Sequence, residues 1–159
     1  MISRHQPDVN ARVHDCAQSI ERMLDTCNTQ HITCKVDDIQ QRSSGLETSR
    51  FIPKRLLSIN NDDPCLKVLL CESESDGTPP EGKDLRYTAL SHCWGSTPII
   101  ETTAITVSAF KTGGINWTSL PKTFQEAILL THELGIHYIW IDSLCKHPQI
   151  RRHLATFTK

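Results

Sequence analysis

Residues 121–142 read Pro-Lys-Thr-Phe-Gln-Glu-Ala-Ile-Leu-Leu-Thr-His-Glu-Leu-Gly-Ile-His-Tyr-Ile-Trp-Ile-Asp, and two periodicities meet within them. Phe124, Ala127, Ile128, Thr131 and Leu134 recur at steps of three or four, which is one face of a helix, and the fixed φ of Pro121 suits a first turn. Gly135 supplies the left-handed residue that ends such a helix, with Ile136 placed to pack back on the last turn. The run Ile136 to Ile141 is then almost continuously apolar and of strand length, a pattern that implies cover on both faces, as in a parallel sheet under helices. Helix, glycine turn, buried strand and a carboxylate at the strand's end predict an α/β domain.

Working outward, Tyr87-Thr-Ala-Leu-Ser91 predicts a buried strand that stops at Trp94-Gly95, and residues 99–112 suit either a strand or a short helix. Arg55 to Ile59 and Leu66 to Leu70 are short apolar runs separated by Asn60-Asn-Asp-Asp-Pro64, the composition of a β-hairpin and its turn. Further upstream, Val13, Ala17, Ile20, Met23, Leu24 and Cys27 follow helical spacing, so residues 10–27 predict an amphipathic helix. Residues 35–49 are too polar to bury much area and read as a linker. Residues 72–83, rich in Ser, Gly and Pro, read as a mobile surface loop. The expected organisation is a helix and polar linker over 1–50, a hairpin and loop over 51–86, the α/β segment over 87–145, and an atypical tail over 146–159. The fold class is α/β, with an incomplete, partly parallel sheet flanked by helices. No internal repeat is visible.

Composition narrows the classes. The chain has 159 residues, room for one ordinary domain, and 38% of them are hydrophobic. Its formal charge is -1, from 17 basic and 18 acidic residues, and no cluster of Lys or Arg forms a phosphate-tracking surface, so nucleic acid is not an expected partner. No apolar run approaches the roughly 18 residues needed to span a bilayer, and the N-terminus has no signal-peptide h-region, which predicts a soluble, cytoplasmic protein. Seven cysteines at 16, 27, 34, 65, 71, 93 and 145 make an odd, irregularly spaced set. Reduced thiols fit it better than a secreted disulfide framework.

Two segments carry a resemblance. Tyr87-Thr-Ala-Leu-Ser-His-Cys-Trp-Gly95 is similar to the Y-x-A-L-S-x-x-W-G signature of the heterokaryon-incompatibility (HET) family of fungi. Leu120-Pro-Lys-Thr-Phe-Gln-Glu-Ala-Ile128, with Trp140-Ile-Asp-Ser-Leu-Cys145, resembles its L-P-x-T-F-x-x-A-I and W-I-D-S-L-C signatures, in the same order. Pro53-Lys-Arg-Leu-Leu57 is similar to what precedes that domain. The resemblance implies a mixed α/β domain distantly related to TIR signalling domains, acting inside cells in non-self recognition and programmed cell death. It does not by itself imply a reaction. After Cys145 the chain departs from the family pattern: Lys146-His-Pro-Gln-Ile150 replaces the usual continuation, and Pro148 would interrupt a helix. The expectation is a partial HET domain over 87–145, C-terminally truncated or misjoined, that lacks the family's third motif.

The motif residues Ser91, His92, Trp94, Gly95, Asp142, Ser143 and Cys145 are the candidate ligand-binding set. Asp142 leads it, because ligands of open α/β sheets sit beyond the carboxyl ends of strands, where a carboxylate can hold a ribose hydroxyl or act as a base. Its plainer role is to cap the turn that follows. Cys93 beside His92 suggests nucleophile chemistry, as does Cys145 beside His147, but neighbours on a strand face opposite ways, and both cysteines fit better as core fillers. Cys27, His31 and Cys34 form a weak zinc pattern without the paired C-x-x-C elements of zinc ribbons; a helix end with incidental thiols is the simpler reading, and no metal is expected. Trp94 and Trp140 read as core aromatics. Glu126 reads as solvated, or as a cap if Thr123 were the N-cap.

These observations favour a signalling module that works by self-association or by docking to other incompatibility proteins, without a cofactor. The rival is a TIR-like enzyme cleaving NAD, in which Ser91 and Asp142 line a ribose-binding crevice and a Glu of the third motif does the chemistry; no turnover is expected from a chain lacking that motif. A third expectation is a non-functional fragment with an exposed sheet edge.

Overall fold

The computed structural model describes residues 9–31, 52–60, 67–73, 86–93, 95 and 98–146. Two compact units divide the chain at Phe51 and Ile52. The first contains helix α1, Val9–Gln30, somewhat longer than its periodic stretch. Its stripe is only partly covered: Ala17 is buried, whereas Met23 and Leu24 are 70% and 54% exposed. Spacing predicts which residues share a helical face, not the exposure of each residue along it. The 35–49 linker lies outside the described residues, as do the hairpin turn after Asn60 and nearly all of the 72–83 loop and the 146–159 tail.

The second unit is built on a four-stranded mixed sheet in the order β2-β1-β4-β3. Strands β1, Arg55–Asn60, and β2, Lys67–Glu72, form the expected hairpin, paired from Arg55 with Glu72 to Asn60 with Lys67. Strand β4, Tyr138–Ile141, pairs antiparallel with β1 through Leu57 and Ile139, and parallel with β3, Thr88–Leu90, through Leu90 and Ile141. Helices α2, Val107–Thr112, α3, Lys122–Glu133, and α4, Asp142–Cys145, complete the unit. Residues 99–112 thus end as a short helix.

Alternation on the strands sends Leu57, Ile59, Val68, Leu70, Ile139 and Ile141 into one core with Phe124 and Ile128 of α3. Each such side chain contributes roughly 1.5–3 kcal/mol by leaving water. One residue out of phase, Leu56 and Tyr138 are buried too. The two central strands are therefore covered on both faces, as the continuous apolar run at Ile136 to Ile141 predicts. Strand β3 departs from expectation: Ala89 is exposed and its neighbours only half-buried. With one partner strand among the described residues, it is shielded less than its apolar composition implies.

Helix α3 follows its pattern closely, burying Phe124, Ile128 and Thr131. Pro121 occupies the N-cap, so Thr123 lies inside the helix; Glu126 instead faces Lys122 at 3.8 Å. Gly135 takes a φ of 65°, its amide reaches the His132 carbonyl at 2.9 Å, and the Ile136 amide reaches that of Thr131 at 3.1 Å. This is a Schellman ending, in which the left-handed residue lets the chain reverse directly into β4.

Candidate functional site

Because β3 and β4 run parallel with Leu90 beside Ile141, the residues that follow each strand leave the same edge of the sheet. Ser91, His92 and Cys93 emerge from β3, and Asp142 to Cys145 from β4. Carboxyl ends of parallel strands are where α/β sheets place their ligands. Helix α3 runs back into β4 through Gly135, so its first turn lies at this edge, and the His92 ring meets Phe124 edge-on at 4.9 Å.

On the β3 side, Ser91 and Cys93 are exposed and His92 is half-buried. Cys93 is therefore not a core filler. Gly95 holds a left-handed φ of 64°, in keeping with a turn, while Trp94 lies outside the described residues.

The β4 side is closed. Asp142 opens α4, and its Oδ2 accepts from Lys146 Nζ at 2.9 Å, one turn on, while Oδ1 is shielded from solvent. Its carboxylate thus engages an ammonium one turn further along the chain. Ser143 is 4% exposed, and its hydroxyl is buried without a hydrogen-bond partner among the described residues. A segment preceding α2 straps this turn: the Thr102 amide donates to the Ser143 carbonyl at 3.0 Å, and the Thr102 hydroxyl donates to that of Leu144 at 2.6 Å.

Cys145 is buried, and the Ile141 amide donates to its Sγ at 3.4 Å. Burial pushes its thiol up from 9.0 to about 12, outweighing the backbone donors and the nearby Arg55 charge. A thiol that stays protonated at neutral pH is neither nucleophile nor metal ligand. Cys145 fills the core, as expected, and His147 lies outside the described residues.

Two residues of this edge escape a reading of the sequence. Thr102 is buried through bonds to residues some forty positions away, for which no local pattern exists. Arg55 is the lone cation in an apolar strand, a signal that was present but unassigned. It is 7% exposed, with Nε donating to Glu72 Oε1 at 2.7 Å, and Lys111 Nζ donates to Glu72 Oε2 at 2.7 Å. The Lys111 bond, followed by that of Arg55, holds the Glu72 carboxyl below its ordinary range despite opposing desolvation.

The weak zinc pattern lies only partly within the described residues. Cys27 is half-buried and His31 exposed at the end of α1, with Cys34 outside the described residues. Among the described residues, no group of three or more His, Cys, Asp or Glu could hold a metal ion. No described helix is long and apolar enough to cross a membrane.

A family model described as heterokaryon incompatibility protein (HET) matches residues 87–151, a span containing both strand ends and all of α3. Searches of the curated proteins and of the solved structures return no match.

Proposed function

We propose, from the match of a heterokaryon incompatibility (HET) family model to residues 87–151, that this chain is an intracellular signalling module of non-self recognition and programmed cell death. It works by associating with itself or with other incompatibility proteins. The observation that carries this reading is the closed β4 end within the matched segment: Cys145 is withheld from chemistry by burial, and Asp142 is engaged by Lys146. An edge closed in this way on its β4 side is better suited to presenting a surface than to turning over a substrate. The test pairs light scattering of the purified chain over a hundredfold range of concentration with its expression in a fungal host. The expected results are concentration-dependent association and loss of viability. A strictly monomeric chain that leaves growth untouched overturns the reading.

One observation favours a second reading, an enzyme of the NAD-cleaving, TIR-like kind. Ser91 and Asp142 follow adjacent parallel strands, where a ribose would lie. NAD consumption that is abolished by Asp142→Ala would favour this reading over association.

A further inference from the structure

Arg55 belongs to β1, upstream of the segment matched by the family model, yet it reaches into that segment. Its guanidinium is held from one side by Glu72, directly opposite in the β1/β2 register, and Glu72 is held in turn by Lys111 of α2. From the other side, Arg55 Nη1 donates to the Lys146 carbonyl at 3.4 Å. Lys146 ends α4: its amide returns to the Asp142 carbonyl at 3.1 Å, and its ammonium grips the Asp142 carboxylate at 2.9 Å. Arg55 therefore connects the hairpin to the turn that carries the carboxylate at the sheet's edge.

A buried charge pair is a poor way to gain stability, since apolar side chains of similar volume usually do as well or better. What a guanidinium adds is a rigid fork, able to hold a carboxylate with one N–H and a helix-terminal carbonyl with another. The four residues of α4 are too few to sustain a helix by their own hydrogen bonds, so their conformation must be imposed from outside. Thr102 does this at Ser143 and Leu144, and Arg55 does it at the C-terminal end.

We propose that Arg55 is a positioning residue for the Asp142–Lys146 turn, through which the upstream hairpin sets the orientation of Asp142. The hairpin is then a working part of the HET module, and a module cut at residue 87 lacks both one of its two central strands, β1, and the clamp on its edge. The inference concerns geometry and stands whether the edge docks a protein or binds a ligand.

The test uses the full chain with two variants. Arg55→Met combined with Glu72→Met removes the pair without leaving either partner orphaned. Arg55→Lys keeps the charge and loses the fork. Amide hydrogen exchange is followed at Lys146, with Leu57 and Ile139 as core references, and alkylation of Cys145 is resolved by peptide mass spectrometry. In both variants the expected result is at least tenfold faster exchange at Lys146 and at least tenfold faster alkylation of Cys145, with Leu57 and Ile139 unchanged. Wild-type protection at Lys146 in either folded variant overturns the proposal. So does loss of protection in equal proportion at Lys146, Leu57 and Ile139 in Arg55→Lys, because that reports general destabilisation. Should the double variant fail to fold, Arg55→Lys alone decides.

Discussion

Two strands deliver their carboxyl ends to the same edge of the sheet, and the two ends have opposite character. After β3, Ser91 and Cys93 face water; after β4, Ser143, Leu144 and Cys145 are all buried. The residue types are similar, a serine and a cysteine in each. The neighbours differ. Among the described residues, strand β3 has one partner, whereas β4 lies between β1 and β3, and α4 turns back against both β1 and β4. The character of a strand end is thus set by the strand's place in the sheet, and two cysteines in neighbouring motifs acquire unlike chemistry from it.

The strongest way to break that contrast is to truncate one side chain at each end. Leu144 is fully buried, so Leu144→Ala is expected to cost about 2–5 kcal/mol, from lost burial and the cavity left behind. Cys93→Ala, at an exposed position, should stay within about 0.5 kcal/mol. Urea denaturation of both variants measures this, and comparable losses at the two sites would refute the assignment of open and closed ends.

The thiols give the next largest effect. In the folded chain Cys145 is raised from 9.0 to about 12, so the folded state keeps a proton that the unfolded state gives up between those values. Its contribution is fully present below pH 9 and is lost as pH rises toward 12, a decline of order a few kcal/mol. Cys145→Ala should flatten this alkaline limb of a stability profile, and Cys93→Ala should leave it in place. At pH 8 the same contrast appears as iodoacetamide labelling of Cys93 at least a hundredfold faster than of Cys145.

The legibility of the molecule follows a similar division. Helix α3, its Gly135 ending and the doubly covered β4 are readable because their determinants lie within residues 121–142 and repeat at 3.6 or run without a break. The hairpin was equally open, since two apolar runs flank a turn composition; its register was not. The exposure of β3 was not readable, because a strand's composition does not say how many neighbours it has. Nor was the opening of the α1 stripe at Leu24, or the strap at Thr102, whose partners Ser143 and Leu144 are distant in sequence. Of the candidate site, the shared edge was legible from the strand grammar, and the closure of one side was not.

A smaller effect separates the brace behind β4 from its surroundings. The Glu72 carboxyl is held below its ordinary 4.5 chiefly by Lys111, then by Arg55. Its contribution to stability is present above pH 4.5 and is lost as the pH falls through its lowered folded value. Glu72→Gln should remove that acid limb and, by leaving Arg55 without its counter-ion, cost roughly 1–2 kcal/mol at pH 7, less than the roughly 3–5 kcal/mol of a fully buried pair because Glu72 remains 26% exposed. Lys111→Ala removes the more exposed partner and should cost less than about 1 kcal/mol. Thermal melts at pH 3.5 and 7 measure both differences.

The smallest expected effect has the most informative sign. The Ser143 hydroxyl is buried with no hydrogen-bond partner among the described residues, whereas that of Ser91 is on the open side. A dry, unsatisfied hydroxyl carries a desolvation penalty, so its deletion should relieve the fold. Alanine is also the better residue within a helical turn. Ser143→Ala is therefore expected to be neutral or up to about 1 kcal/mol more stable, and Ser91→Ala to change nothing beyond about 0.5 kcal/mol. Paired urea titrations at pH 7 resolve the difference. A loss above 1 kcal/mol in Ser143→Ala would mean that the hydroxyl has a partner in solution, and the β4 end would then be wetter than its burial implies. A gain would mean that the chain keeps a polar group there at a cost to its own stability. Side chains retained on those terms cluster at sites that meet something else, because a fold under no such demand discards them.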